Sequence, residues 1–455
     1  MTAIGQEGRG GGGSAREAEL GAATALRVDG ERLLGRLAAL AEIGATPDGG
    51  CARLALTDAD RAGRDLVVGW MTALGLQVRV DAIGNVVGSM PGEGPPVMMG
   101  SHVDTVTTGG RYDGNLGVLG GLEVIETLRD AGVTPPRPLA VAFFTDEEGS
   151  RFSPDMLGSL AYVGGIPIAE ALAITDVGGA RVGEELHRIG YAGPHPCPGP
   201  APHAYVELHI EQGPVLEAEG VEIGAVTGVQ GISWQEVRVE GQANHAGTTP
   251  MSMRHDAGHA AAAIATFVRR LALELGPPQV GTVGSLSLEP GLVNVVARAA
   301  RLTVDLRNTD EGRLADAERR LSAFLDELAR GEGVGIATRR LARFAPVAFD
   351  PGVIGLVERV ARSHGRSTMR LPAGAGHDAQ MLARVCPAGM IFVPSAGGMS
   401  HSPQEHTEPD ALVAGANVLL EVVLALAAGD LAGEPSGPAG AGAGGPGAPR
   451  SAAGT

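Results

Sequence analysis

The chain contains no lysine. All 35 basic side chains among its 455 residues are arginines, which excludes Schiff-base catalysis, a P-loop nucleotide site and Ser-Lys nucleophile pairs, since each needs a lysine amine. Cysteine is almost as scarce: Cys51, Cys197 and Cys386 stand at unrelated spacings, so neither a disulfide framework nor a thiolate metal site is expected. Positive charge is in deficit, and the net charge of -17 argues against nucleic acid and anionic membranes as partners, because both require a basic footprint. No apolar run is expected to reach the ~20 residues that span a bilayer, and the N-terminus lacks the basic-then-apolar layout of a signal peptide. These absences predict a soluble, cytoplasmic protein whose partner is a small molecule.

The length exceeds what one hydrophobic core normally serves, so two domains are expected, and a 44% hydrophobic content is ample for them. Residues 1–23 and 430–455 are dominated by Gly, Ala, Pro and Ser and read as flexible tails without apolar surface to fold upon. Between them helical and extended patterns alternate, as in Leu34–Ile43 (helix), Asp58–Leu74 (helix) and Gln77–Val80 (strand), which predicts an α/β fold. Val97–Gly100 and Leu139–Phe144 are continuous apolar runs, the pattern of sheet strands covered by helices on both faces. From Ser233 the order becomes strand (Trp234–Val239), helix (Asp256–Leu275), strand (Val283–Leu288), strand (Ala300–Leu306), helix (Arg313–Ala329), strand (Val334–Arg340). That β-α-β-β-α-β order is the ferredoxin-like split unit. The expected organisation is a catalytic domain of residues 24–232 and 345–429 around a central mixed sheet, interrupted by an inserted lid or dimerisation domain of residues 233–344.

Candidate chemistry begins where the apolar runs stop, as ligand sites do at the carboxyl ends of strands in open α/β sheets. His102 follows the first run, and Asp113 lies in a Gly-flanked loop just beyond it; Asp146-Glu147-Glu148 follows the second. His209 in His-Ile-Glu-Gln-Gly and His401 in Gly-Met-Ser-His-Ser-Pro-Gln-Glu complete a donor inventory for two divalent ions. Imidazole and carboxylate donors can bring the pKa of a metal's water from about 15.7 to about 7. Asp113 suits a bridging carboxylate, with Asp104 behind His102 as its orienting partner. Adjacent carboxylates at a strand end can point opposite ways, which lets Glu148 bind metal while Glu147 serves as general base.

These motifs resemble the M20 metallopeptidase superfamily, and within it the amidase branch of N-carbamoyl-L-amino acid hydrolases, allantoate amidohydrolases and β-ureidopropionases. The likeness runs from about Leu34 to Leu426, and Gly149-Ser150-Arg151-Phe152 with His209 points to the amidase branch rather than to the peptidases. The resemblance implies one metal on His102, Asp113 and His209, another on Asp113, Glu148 and His401, and Glu147 as catalytic base. The two ions would be Zn, Mn, Co or Ni. It further implies His245 as oxyanion donor, Asn294 and Arg307 as contacts to the substrate, with Arg307 forked on its carboxylate, Gln212 on its ureido group, and Gly374-Ala375-Gly376 along its backbone. This chain departs from its relatives after Asn294, with Ala297-Arg298 where they have Pro-Gly, so a different turn is expected there.

The implied reaction is hydrolysis of an N-carbamoyl-L-amino acid to amino acid, carbon dioxide and ammonia. Allantoate and β-ureidopropionate are the alternative substrates; a peptidase, an aminoacylase or an inactive binding module fits less well. A homodimer through the inserted domain is also implied.

Overall fold

The computed structural model describes residues 26–430; apart from Asp430, both expected tails lie outside the described residues. Fifteen strands are assigned among the described residues. These are β1 (Gln77–Val80), β2 (Val86–Ser89), β3 (Val97–His102), β4 (Leu139–Phe144), β5 (Ala204–Ile210), β6 (Ile223–Val229), β7 (Gly231–Glu240), β8 (Asn244–His245) and β9 (Val280–Glu289). They continue with β10 (Val295–Val296), β11 (Ala299–Asn308), β12 (Gly335–Phe344), β13 (Val347–Ala348), β14 (Thr368–Ala373) and β15 (Ala388–Val393).

The large sheet runs β1-β2-β4-β3-β5-β15-β6-β13, with β14 also paired to β6. Its centre, β4-β3-β5-β15, is parallel, whereas β2 and β6 join that centre antiparallel. Every residue of the four central strands is buried. Successive side chains point to opposite faces of a strand, so complete burial means that both faces are covered. Helices Asn115–Asp130 and Pro409–Ala428 contribute to one cover, and Leu157–Tyr162 and Asp378–Leu382 pack on the same strands. The first of these lies very close: a Cβ on Gly117 would stand 2.7 Å from the Gly100 carbonyl oxygen, so only glycine permits the contact.

The expectation about apolar runs is corrected by Pro409–Ala428, 20 residues with a mean hydropathy of 2.2 in its most apolar window, which is long and apolar enough to cross a membrane. Here it is a core helix. Leu412, Val418, Leu419, Val422 and Leu426 are buried, and Glu421 on its outer side pairs with His364 at 2.6 Å.

The second sheet has the order β12-β7-β11-β9 and is antiparallel throughout, the strand arrangement expected of a ferredoxin-like unit. Helices Ala257–Leu275 and Glu311–Glu332 cover one face and meet each other through stacked Phe267 and Phe324. Val237, Val239, Ile264, Leu302, Leu306 and Leu321 belong to a core separate from that of the large sheet. A two-stranded ribbon of β8 and β10 stands apart from both sheets.

Candidate metal centre

Each of the four central parallel strands delivers one part of the centre from its carboxyl end. His102 is the last residue of β3, and Glu147 and Glu148 follow the end of β4. His209 lies one residue inside the end of β5, and the loop after β15 carries His401. Asp113 sits between β3 and the helix Asn115–Asp130, and the other side chains converge on it. Its Oδ1 is 3.1 Å from His209 Nε2 and 3.7 Å from His102 Nε2, while Oδ2 is 3.3 Å from His401 Nε2. His401 Nε2 also lies 3.2 Å from Glu148 Oε2. Two sets of donors, His102-Asp113-His209 and Asp113-Glu148-His401, therefore share one carboxylate.

The donors suit divalent ions. Two ligands about 2.0–2.2 Å from one tetrahedral ion stand roughly 3.3–3.6 Å apart, close to the spacings found here. His102 and His209 both engage Nδ1 with backbone carbonyls, those of Asp104 (2.9 Å) and Ile210 (2.8 Å). With Nδ1 as the donor, each ring turns the lone pair of Nε2 toward Asp113. Without an ion the same groups satisfy one another as acids and bases. Burial acts to raise Asp113, but bonds from His102, His209 and His401 hold its carboxyl well below the usual range. Asp113 and Glu148 together push His401 up to about 10.

Glu147 is buried with Oε2 3.4 Å from His102 Nε2. Burial drives its carboxyl well above the usual range, opposed by His102 and reinforced by Asp378, Glu148 and Asp113. Asp104 engages both His102 and the glutamate turn, by different groups. It supports the His102 ring through its backbone carbonyl, and its carboxylate, 4.0 Å from the ring, instead accepts from the backbone N–H groups of Glu147 (3.3 Å) and Glu148 (3.4 Å). The backbone is strained nearby: Asp146, Gln212 and His401 are three of the five non-glycine residues with positive φ among the described residues. Such conformations persist where surrounding structure enforces them.

A cleft of about 90 Å³ opens onto this cluster, lined by Asp113, Glu147, Glu148, His401, Gln212, Ala375 and Gly376, together with Asp155 and His377. Gln212 donates from Nε2 to Asp113 Oδ2 at 2.9 Å. Arg307 and Gly374 line an adjoining cavity of about 700 Å³. There Arg307 is forked on Asp305 (3.1 and 2.9 Å) and donates to the Gly374 carbonyl at 2.6 Å. His245 and Asn294 do not line the cleft. They adjoin on the β8–β10 ribbon, exposed, with Asn294 accepting from the Ala246 N–H at 2.9 Å. After Asn294 the chain runs into the insert's core through buried Ala297, and Arg298 pairs with Glu289 at 2.6 Å.

Four further residues near the centre have no role in the sequence reading, although one of them, Glu405, closes the Gly-Met-Ser-His-Ser-Pro-Gln-Glu motif around His401. His377 is buried with both ring nitrogens unpartnered, and stacks edge-on against His209. Asp155 lines the cleft from the loop after Glu148. Glu405, four residues beyond His401, accepts from the N–H groups of Tyr112 (2.9 Å) and Asp113 (3.3 Å). Buried Arg53 donates to the Val103 carbonyl (2.6 Å) and to Asn115 (2.9 Å), tying the two ligand loops together.

Among proteins of known name, the chain is 42% identical over 401 residues to an N-carbamoyl-L-amino-acid amidohydrolase of Rhizobium meliloti, covering 88% of this chain and 96% of the relative. It is 36% identical over 411 residues to a ureidoglycolate hydrolase of Arabidopsis thaliana, covering 87% and 86%. A crystal structure described as an amidase of the hydantoinase/carbamoylase family from Burkholderia multivorans superposes with a TM-score of 0.87 at 45% identity, covering 88% of this chain and 98% of that one. A family model for Peptidase family M20/M25/M40 matches residues 98–425, and the chain belongs to that family.

Proposed function

We propose that the protein is a metal-dependent amidohydrolase that cleaves the ureido C–N bond of N-carbamoyl-L-amino acids, releasing the amino acid, carbon dioxide and ammonia. One observation carries this reading: four imidazole and carboxylate side chains, His102, His209, Glu148 and His401, meet around Asp113 with the buried Glu147 carboxylate beside them. The similarity to the Rhizobium meliloti enzyme supplies the substrate class.

In this reading His102, Asp113 and His209 hold one divalent ion, and Asp113, Glu148 and His401 hold the other. Zn, Mn, Co and Ni all accept such donors. Two ions there would supply Lewis acidity toward the ureido oxygen and hydroxide at neutral pH. Glu147 takes a proton from the attacking water and delivers it to the departing amino-acid nitrogen. The carbamic acid left behind breaks down to carbon dioxide and ammonia, which balances the reaction. Gln212 orients the ureido group, and the Gly374–Gly376 segment lies along the substrate backbone. Arg307 offers the remaining N–H on each of its terminal nitrogens to the substrate carboxylate. His245 and Asn294 complete the pocket when the insert closes over it, from the same chain or from a partner.

Residues 24–232 and 345–429 are assigned as the catalytic unit and 233–344 as the lid and dimerisation unit. Support comes from the separate core of the insert and from Leu286 and Leu288, exposed on its edge strand β9. A pair of chains joined there would be isologous. The three unpaired cysteines suit a cytoplasmic location.

The test is ammonia release from N-carbamoyl-L-amino acids, allantoate, ureidoglycolate and 3-ureidopropionate, with and without chelator. Turnover of carbamoyl amino acids that chelation abolishes is expected. Preference for ureidoglycolate or allantoate would move the assignment to the activity named for the Arabidopsis thaliana relative or to the allantoate branch, and chelator-resistant turnover would remove the metals from it.

A further inference from the structure

The cleft over the metal cluster holds more hydrogen-bonding capacity than two ions and a general base use. Asp155 and His377 stand in its wall beside the donors around Asp113. Among the described residues, the Asp155 carboxylate has its own backbone N–H as its one hydrogen-bond partner. Oε1 of Gln212 and both ring nitrogens of the buried His377 are unpartnered as well. Polar atoms enclosed in this way cost free energy until a partner meets them, so together they describe a ligand that is small, polar and rich in N–H donors.

The backbone fixes Asp155 beside the base. The Met156 N–H donates to the Glu147 carbonyl at 2.7 Å and the Leu157 N–H to that of Asp146 at 3.2 Å, while Met156 turns the chain with a φ of +53°. The segment that follows Asp155 therefore runs along the turn that carries Glu147. Oδ2 of Asp155 lies against the cleft wall at Gly376, 3.6 Å from the point where a Cβ on that residue would stand. Burial pushes the carboxyl up, and its own N–H and the charge of Arg307 pull it the other way.

We propose that Asp155 is a specificity-determining residue that accepts N–H bonds from the terminal –NH2 of the ureido group, so that the cleft takes a carbamoyl group in preference to an acyl group of the same size. The inference rests on the carbamoyl-amino-acid reading given above. A substrate with its carboxylate at Arg307 and its ureido oxygen toward the ions places its leaving nitrogen by Glu147, and the terminal nitrogen is the ureido atom that still needs a place. Its two hydrogens require acceptors. Asp113 and Glu148 are committed to the ions and Glu147 to proton transfer, which leaves Asp155 and Oε1 of Gln212. An N-acetyl group sets a methyl in that position, equal in size but without a donor, and the Asp155 carboxylate then stays unpaired beneath it. The –NH2 departs within the carbamic acid, so Asp155 binds it without exchanging a proton.

The experiment compares kcat/KM for N-carbamoyl-L-methionine and N-acetyl-L-methionine in the metal-loaded wild type, Asp155→Ala and Asp155→Asn, with metal content determined for each. Wild type is expected to favour the carbamoyl substrate about 10²-fold or more. Asp155→Ala should lower kcat/KM for that substrate at least about tenfold and leave the acetyl substrate unchanged or faster, which narrows the preference by the same factor. Asp155→Asn keeps the shape and one acceptor oxygen, falls between the two, and guards against an alanine variant that fails to fold. Equal losses on both substrates mean that Asp155 only braces the loop of the base; they overturn the inference and leave the hydrolase assignment standing, as does an unchanged preference or a wild type that takes both substrates alike. A wild type inert toward the carbamoyl substrate overturns both.

Discussion

The carboxylate of Asp104 caps the backbone of Glu147, with Oδ1 3.3 Å from its nitrogen, while the ring of His102 is held by the Asp104 carbonyl instead. One residue thus orients His102 with its main chain and the Glu147 backbone with its side chain. Burial pushes this carboxyl up to about 6, against the opposing pull of the His102 ring 4.0 Å away. The division of labour makes Asp104→Asn informative. The carbonyl survives that change, so two bound ions per chain are expected by metal analysis, while kcat falls on the order of 10- to 100-fold as the Glu147-Glu148 turn loses an acceptor. Loss of an ion instead would show that the side chain governs His102.

Glu147→Gln preserves shape and removes the basic oxygen. Metal content should be unchanged, and turnover of an N-carbamoyl-L-amino acid should fall about 10²- to 10⁴-fold. Wild-type activity in a fully loaded variant would exclude Glu147 as the proton carrier.

Arg151, two residues past the Glu147-Glu148 pair's closing glycine, pins that loop to Asp176 at 3.0 Å, to Glu185 at 2.9 Å and to the Ala55 carbonyl at 3.0 Å. Glu185 is held below its ordinary range by Arg188 first and by Arg151 next; burial acts on Asp176 in the opposite sense, but bonds from the Ala180 N–H and from Arg151 lower it. A carboxylate depressed on folding adds stability that is complete above its unfolded pKa and is lost as pH falls through the folded value. Wild type should therefore exceed Arg151→Met in urea midpoint at pH 7, with the gap narrowing below about pH 4.5, the ordinary glutamate range. A gap that is constant from pH 7 to pH 3 would mean that Arg151 acts through packing alone.

The metal-type residues were legible because local pattern marks them. Apolar runs stop at His102 and before Asp146, and sheet geometry assigns ligands to those ends. The strand order of the insert was legible for the same reason, since each of its elements carries its own periodicity. Asp104 was half legible: spacing places it behind His102 but cannot tell carbonyl from carboxylate. His377 was not, because its place against His209 depends on the helix Asp378–Leu382 packing on β5, a neighbour relation no local signal encodes; Glu405 closes the motif around His401, but its bonds to the Tyr112–Asp113 loop depend on the fold. Nor could sequence alone tell that Pro409–Ala428 is covered by protein rather than lipid.

Gly114 gives the sharpest test of the shared-carboxylate geometry. Its φ of +66° lies in the left-handed region, and a Cβ there would stand 2.4 Å from His102 Nε2 and 2.5 Å from two ring carbons. With ψ at -45° the conformation is sparsely populated by L-residues, and an alanine costs roughly 1–3 kcal/mol in backbone conformation alone. The contact must also displace either the imidazole or the Asp113 loop, because the ring is fixed behind by its bond to Asp104. Gly114→Ala should therefore fold, as judged by far-UV circular dichroism, but lose at least one ion per chain and at least about 10²-fold in kcat/KM, in line with what small misplacements cost. Gly35→Ala is the control: its Cβ meets nothing within 4 Å on the helix Gly30–Ala41, so unchanged metal content and a slight gain in stability are expected. Full occupancy and activity in Gly114→Ala would show that His102 and Asp113 do not need the close approach that only glycine allows.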